Sequence, residues 1–270
     1  MAAVPSTLPI VMRLSALRCG GIEVDAGILE GPGHSGLQLV PSMCFVVEHG
    51  DDVLVWDTSM HPCVCDDPVG YWGPLAELFT IPRFTLDDTL VARLAELSIE
   101  PGDVTLVVNS HLHNDHCGMN RFFPEATVLV RREEYEHAVT VMDDPMSGYV
   151  RNDFYDEERS LELIDYDDHL DLLGDGHVRL LSTIGHTPGH QSLLATFASG
   201  RAFALTGDAV YTQAQLDERR PPGLVSDAEA AARSVARLAD LADRGTTVLV
   251  PHDPATWAEA PAVATIWAEP

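Results

Sequence analysis

The chain has 270 residues, 46% apolar and 21% charged, enough for one large domain with a sizeable core and with ordinary globular usage. Its 42 acidic residues face 16 basic ones, all of them arginine, for a formal net charge of −26. A surface this acidic repels phosphate backbones and anionic lipid, so nucleic acid and membrane are poor partners and a small or neutral substrate suits it better.

The N-terminus, MAAVPSTLPIVMRLSALRCGG, lacks a basic segment leading into a long apolar run, and no stretch is apolar enough to span a bilayer. Five cysteines, an odd number, argue against a disulfide framework. Together these features predict a cytoplasmic, reducing location.

In chain order, MCFVVEHG and DVLVWDT read as a strand pair joined by a turn at His49–Asp52. The Pro-, Gly- and aromatic-rich stretch from His61 to Arg83 has no period and reads as a long loop. TLDDTLVARLAEL predicts an amphipathic helix with Leu90, Val91, Leu94 and Leu97 on its apolar face and an Asp-rich first turn. DVTLVVNS is a buried strand running into the segment SHLHNDHCG, ATVLVRR another strand, and EEYEHAVTVM a helix.

The second half repeats this logic. HVRLLST is a strand leading to IGHTPGHQS, SLLATFA and RAFALTGD are strands around a short turn, and SDAEAAARSVARLADLADRG is a helix. Ser226 is its expected N-cap, Glu229 occupies the capping-box position and Gly245 follows the last turn. TTVLVPHD is the final predicted strand, ending near His252. The pattern predicts a single α+β domain over residues 1–270: an αββα sandwich, two mixed β-sheets packed face to face with helices outside.

His111, His113, Asp115 and His116 fall within six consecutive positions, and His186, Asp208 and His252 each lie at or near the end of a predicted strand. Strand ends on one edge of a layered domain converge, and sites form there. Burying four such polar groups together without a metal would leave them poorly satisfied. Imidazole and carboxylate donors suit zinc first, and also manganese, iron or cobalt. Seven ligands exceed one tetrahedral ion and suit two divalent ions sharing a carboxylate and a water. By contrast His34, His49, His61, His137, His169 and His177 are isolated and read as structural or solvated. Cys63 and Cys65 lack a second pair, Cys117 reads as packing, and Asp57 as a carboxylate bracing the site from behind.

LVWDT, SHLHNDHCG, GHTPGHQS, LTGDAVY and VPHD occur in the order seen in the metallo-β-lactamase superfamily, which the chain resembles over nearly its whole length. Within it, the block SHLHNDHCGMNRFFPEATVLVRREEYEHA is most similar to the N-acyl-homoserine lactonases, the quorum-quenching enzymes. The resemblance implies that His111, His113 and His186 hold one ion, that Asp115, His116 and His252 hold the other, and that Asp208 bridges them. It makes His186 the ligand of GHTPGH and leaves His190 behind it, ordering the loop. Two positions depart from the common pattern: Asn114 where some lactonases carry an aromatic residue, and Ser59 where Gly is common.

The implied reaction is hydrolysis of the lactone ring to an N-acyl-homoserine, with Asp115 handling the leaving-group proton and the Tyr211 hydroxyl stabilising the oxyanion. For the acyl tail, the loop bearing Tyr71, Trp72, Leu78, Phe79, Ile81 and Phe84 is the expected wall, with Met146, Tyr149 and Phe154 as further candidates; the same loop also suits a homodimer contact. A glyoxalase-type thioesterase is disfavoured because only 18 residues, none basic, follow His252. The acidity disfavours a nuclease. A hydrolase of another lactone, an ester or a phosphotriester is the main alternative. A metal-storing protein is a further one, but it would need neither Asp208 as a bridge nor an apolar groove.

Overall fold

The chain's first strand is one that its sequence pattern conceals. In the computed structural model, which describes residues 12–78, 80–155 and 161–269, β1 (Met12–Asp25) carries Leu14, Ser15, Ala16 and Leu17 all buried. A strand covered on both faces has no apolar–polar alternation to reveal it. After α1 (Ala26–Glu30), β2 (Leu37–His49) and β3 (Asp52–Trp56) form the expected hairpin, with Gly50 at φ +63° in its turn.

The stretch expected as a long loop is instead built of short elements. A 3₁₀ turn at Pro62–Cys65 is followed by α2 (Pro68–Trp72), α3 (Leu75–Leu78) and β4 (Thr80–Arg83). Each is too short to display a period. Next, α4 (Leu90–Glu96) is capped by Thr89, and the Asp-rich residues ahead of it form a separate 3₁₀ turn closed by Thr85 and Asp88. There follow β5 (Leu106–Val108), β6 (Thr127–Arg131), α5 (Arg132–Val141), α6 (Arg151–Phe154), β7 (Glu162–Ile164) and β8 (His169–Asp171). The remaining elements are β9 (Val178–Ser182), β10 (Gln191–Thr196), β11 (Ala202–Leu205), α7 (Gln213–Glu218), α8 (Ala228–Asp243), β12 (Thr247–Leu249), α9 (Pro254–Trp257) and β13 (Val263–Glu269).

Two expectations are corrected here. The N-cap of α8 is Asp227, which accepts from Ala230 N at 2.9 Å, while Ser226 Oγ donates to Gly185 O at 3.0 Å. The chain also does not finish on a strand at His252: β13 returns antiparallel to β1 as a half-exposed edge.

Among the described residues the strands form two mixed sheets. The first has the order β13-β1-β2-β3-β5-β6-β7, with β4 also paired to β1, and the second is β12-β11-β10-β9-β8. In the first, β3, β5, β6 and β7 run parallel; in the second, β11 and β12 do. Leu14, Phe45, Leu54, Trp56 and Val108 of one sheet pack on Leu180, Leu193, Phe203 and Leu205 of the other and on Phe197 just after β10. The outer face of the first sheet is covered by Leu90 and Leu94 of α4, and that of the second by Val235 and Leu238 of α8. This is the αββα sandwich, and its parallel strands send β3, β5, β11 and β12 toward one edge with their C-termini together.

Candidate metal centre

At that edge the chain folds seven donors into two groups. His111, His113, His186 and Asp208 form one, and Asp115, His116 and His252 the other, with the donor atoms of each within 4.8 Å of one another. Asp208 stands between them. Its Oδ2 is 3.3 Å from His186 Nε2 and 3.8 Å from His111 Nε2, while its Oδ1 is 3.1 Å from both His116 Nε2 and His252 Nε2. One carboxylate thus presents an oxygen to each group.

The imidazoles are aimed by what lies behind them. His116 Nδ1–H donates to Asp57 Oδ2 at 2.9 Å, His186 Nδ1–H to Leu224 O at 2.9 Å, and His252 Nδ1–H to Pro41 O at 2.8 Å. Ser110 Oγ donates to Asp57 Oδ2 at 2.8 Å and accepts from His111 Nδ1–H at 2.9 Å. An acceptor at Nδ1 leaves the Nε2 lone pair of each ring pointing into the centre. His113 turns its Nδ1 inward instead, 3.0 Å from both His111 Nε2 and His186 Nε2.

These contacts fit divalent cations. Lone pairs facing each other at hydrogen-bond distance repel unless a proton or a cation lies between them. His116 Nε2 is fully buried without an aligned hydrogen bond, although Asp208 Oδ1 is close. Burial, reinforced by neighbouring imidazoles, holds His111 and His113 well below the usual histidine range and so keeps them neutral. Burial acts to raise the Asp208 carboxyl, but His116 and His252 outweigh it and hold Asp208 ionised. Burial acts to lower His116 and His252, but Asp208 outweighs it and raises both, so a divalent ion would take the place of the protons these two rings attract. Imidazoles around an ionised carboxylate are the donor set that zinc and similar ions take.

The loops carrying these groups are braced by residues of unequal visibility in the sequence. Asp57 sits at φ +59°, a conformation that non-glycine residues rarely adopt, and is held there by Ser110 N at 2.6 Å as well as by Ser110 Oγ and His116. His190 lies behind Asp208: its Nε2 accepts from Asp208 N at 2.9 Å and its Nδ1–H donates to Thr183 O at 3.0 Å. Burial pushes His190 down to about 3, so it stays the neutral acceptor that this arrangement needs. Glu134, which the sequence does not distinguish from its neighbours Glu133 and Glu136, is fully buried in α5. It accepts from Leu112 N at 3.0 Å, Thr187 Oγ1 at 2.6 Å, Gly189 N at 3.2 Å and Tyr149 Oη at 3.0 Å, tying the two histidine loops together.

A cavity of about 550 Å³ opens beside the seven donors. Tyr211 lines it, with its ring 5.4 Å from that of His252 and its hydroxyl 3.4 Å from His186 Nδ1; burial and the nearby Asp208 raise the phenol well above its ordinary range, so it stays a donor. Ile22, Val24, Ile28, Leu29, Val40 and Leu75 supply an aliphatic wall.

The expected aromatic wall is corrected. Trp72 and Phe84 are buried in the apolar cluster behind Ile22, Val24 and Val40 and do not reach the cavity. Ile81 pairs with Glu23, on the face of β1 opposite Ile22 and Val24. Tyr71 donates to Asp153 at 2.6 Å, and Phe154 is core. Met146 and Tyr149 do line the cavity; Phe79 and the side chain of Leu78 lie outside the described residues. The physical reason is the concealed strand β1, which places its own side chains between that segment and the site. His137, which the sequence suggests is structural or solvated, also lines the cavity.

The fold and this donor set define the class: the chain belongs to the metallo-beta-lactamase superfamily, whose profile matches residues 37–252. It is 35% identical over 250 residues to the N-acyl homoserine lactonase AttM of Azorhizobium caulinodans, covering 91% of this chain and 95% of that one. It is 29% identical over 215 residues to the N-acyl homoserine lactonase AiiA of Bacillus thuringiensis subsp. kurstaki, covering 78% and 80%. Its structure is similar to that of an N-acyl homoserine lactone hydrolase with the product N-hexanoyl-L-homoserine bound at the catalytic metal center, with a TM-score of 0.80, 26% identity and coverage of 92% and 96%.

Proposed function

We propose that the protein is a binuclear metal-dependent hydrolase that opens the lactone ring of N-acyl-homoserine lactones, a quorum-quenching activity. The observation that carries this reading is Asp208, one oxygen toward each donor group, lining a cavity of about 550 Å³ that also has an aliphatic wall. The lactonase relatives and the product-bound neighbour support it. His111, His113 and His186 would hold one ion, Asp115, His116 and His252 the other, and Asp208 both, with zinc as the proposed metal. Five free cysteines agree with a reducing, cytoplasmic setting, and no helix among the described residues is long and apolar enough to cross a membrane.

A pair of divalent ions held by these seven donors would supply hydroxide at neutral pH and polarise a carbonyl. The protein's own groups do the rest. The aliphatic wall and the loop at Met146–Tyr149 hold the acyl chain so that the lactone carbonyl faces the donors. The Tyr211 hydroxyl donates to the carbonyl oxygen as negative charge develops there. Water adds its oxygen to the carbonyl carbon and gives a proton to Asp115, the ring C–O bond breaks, and Asp115 passes that same proton to the departing oxygen. The product is the ring-opened hydroxy acid, with the amide untouched.

A pH-indicator assay on the zinc-loaded protein tests this, with homoserine lactones of graded chain length, a simple γ-lactone, a thioester and a phosphotriester. Metal-dependent turnover highest on the acyl-homoserine lactones is expected. Faster turnover of the thioester or phosphotriester would replace the reading, and no lactone opening by protein holding two ions would end it.

A further inference from the structure

We propose that Tyr149 positions His113 by ring packing, doing for this ligand what a hydrogen-bond acceptor does for the other four imidazoles; this rests on the binuclear reading and names a residue on which one of the two ions depends. His111, His116, His186 and His252 each have an acceptor for Nδ1–H, at 2.8–2.9 Å, that fixes the ring. His113 is the exception. Its Nδ1 is the inward atom, 3.0 Å from both His111 Nε2 and His186 Nε2, and no hydrogen bond reaches its Nε2 among the described residues.

Gly148 and Tyr149 lie against that ring instead. The Tyr149 ring meets it edge to face, at 4.6 Å between centroids and 62° between planes. Gly148, at φ +81°, comes so near that a Cβ there would lie 3.2 Å from His113 Cδ2. Its carbonyl accepts from Asn114 N at 2.9 Å, which ties the segment to the ligand loop one residue past His113. The outer torsion of a histidine side chain is broad, so an imidazole without an acceptor behind it turns freely unless neighbours stop it. These two residues supply that stop.

Tyr149 is itself held in place. It is buried, its hydroxyl donates to Glu134 Oε1 at 3.0 Å, and its ring packs on Phe154 at 6.2 Å between centroids. The same Glu134 oxygen accepts from Leu112 N at 3.0 Å, one residue before His113. The ring that stops His113 and the backbone that carries His113 are therefore anchored to one carboxylate. The polar atom of Tyr149 is turned to Glu134 and away from the donors, so its part at the centre is support alone. His113 shares its donor group with His111, His186 and Asp208. Loss of the Tyr149 ring should then loosen the ion of that group and spare the other.

The test measures the dissociation constants of the two zinc ions by chelator competition in the wild type, Tyr149→Leu and Tyr149→Phe. Tyr149→Leu is expected to weaken one ion about 3- to 10-fold, the worth of one edge-to-face aromatic pair, and to leave the other within about 2-fold. Tyr149→Phe keeps the ring and should hold both within about 2-fold. The affected ion is assigned with His186→Asn, which takes a ligand from the His113 group, and His252→Asn, which takes one from the other group. Tyr149→Leu should weaken the zinc still held by His252→Asn and leave that held by His186→Asn unchanged, because coupling is confined to groups in contact. Should Tyr149→Leu not fold, Gly148→Ala, which crowds the same ring, reads the same constants in the same backgrounds. A wild type holding two ions, with both weakened alike, neither weakened, or only the ion lost in His252→Asn weakened, overturns this inference alone. So does a Tyr149→Phe as damaging as Tyr149→Leu, which would give the role to the hydroxyl. A wild type that holds fewer than two ions at saturating zinc overturns it together with the binuclear reading.

Discussion

Asp208 and His190 are neighbours with different jobs. Asp208 presents an oxygen to each donor group, whereas His190 holds only the Asp208 backbone. Asp208→Asn is therefore expected to lower metal content toward one ion or none and abolish turnover. His190→Asn is expected to keep most of the metal and lose activity by about 10–100-fold, the usual cost of removing a group behind a ligand. Elemental analysis alongside kcat separates the two, and equal small losses would mean that Asp208 does not bridge. Tyr211→Phe, which removes a hydroxyl and keeps the ring, is expected to lower kcat by on the order of 10-fold with two ions still bound, because its bond strengthens only as charge develops. A rise in KM at unchanged kcat would assign it to positioning instead. Away from the site, Asp153 is buried with Oδ2 unpartnered, and burial pushes its carboxyl up to about 7 despite the Tyr71 hydroxyl. The folded state then holds a proton that the unfolded chain releases above about pH 4, so stability drains away as pH rises from there to about 7. Asp153→Asn removes that loss: its gain in melting temperature should be small at pH 5, larger at pH 7 and level above. A gain that is flat with pH would show that the carboxyl is ionised at no cost.

The elements around the centre meet through very close contacts. Gly189 lies against α5 so tightly that a Cβ there would come within 2.2 Å of Glu134 N. The contact is with backbone, so nothing can swing aside, and the same approach lets Gly189 N donate to the Glu134 carboxylate. Gly189→Ala should separate the His186–His190 loop from α5, costing about 1–3 kcal/mol of stability and weakening the His186 side of the centre first. Denaturant unfolding with metal titration checks this; wild-type values for both would show that the loop shifts freely. Ser59, which departs from the common glycine, is at φ +57°, the left-handed region that favours glycine. Its strain is offset by Gly118 N donating to its carbonyl at 2.8 Å and by a 3.0 Å contact between Ser59 Oγ and Ser42 Oγ.

For the whole molecule the dominant feature is a net charge of −26. Ionised Asp and Glu repel one another across the surface, and few arginines offset them, so the folded state carries a self-repulsion that salt screens. Raising sodium chloride from about 0.02 to about 0.3 M shortens the screening length severalfold and should raise the melting temperature by at least about 2–4 °C, the shift corresponding to roughly 1 kcal/mol in a chain of this size. A flat or falling melting curve with salt would mean that surface ion pairs such as Arg219 with Asp240 and Asp243 outweigh the repulsion.

The residue types and local spacing of His111–His116, with His186, Asp208 and His252 at strand ends, are sufficient to suggest a centre, because donor chemistry is a property of the side chain and strand ends converge in a layered fold. Helices such as α8 are legible too, since one buried face imposes a period. Strand β1 is not, because burial on both faces erases alternation, and the half-exposed edge strand β13 escapes as well. Glu134 and His137 sit in the same acidic, solvated-looking stretch; only the packing of α5 against the histidine loops buries one and turns the other to the cavity. The wall of that cavity was decided the same way. Aromatic residues near the site in sequence were displaced by aliphatic ones from β1 and β2, because which side chain faces a cavity depends on what packs behind it, and that is a property of the assembled sheets.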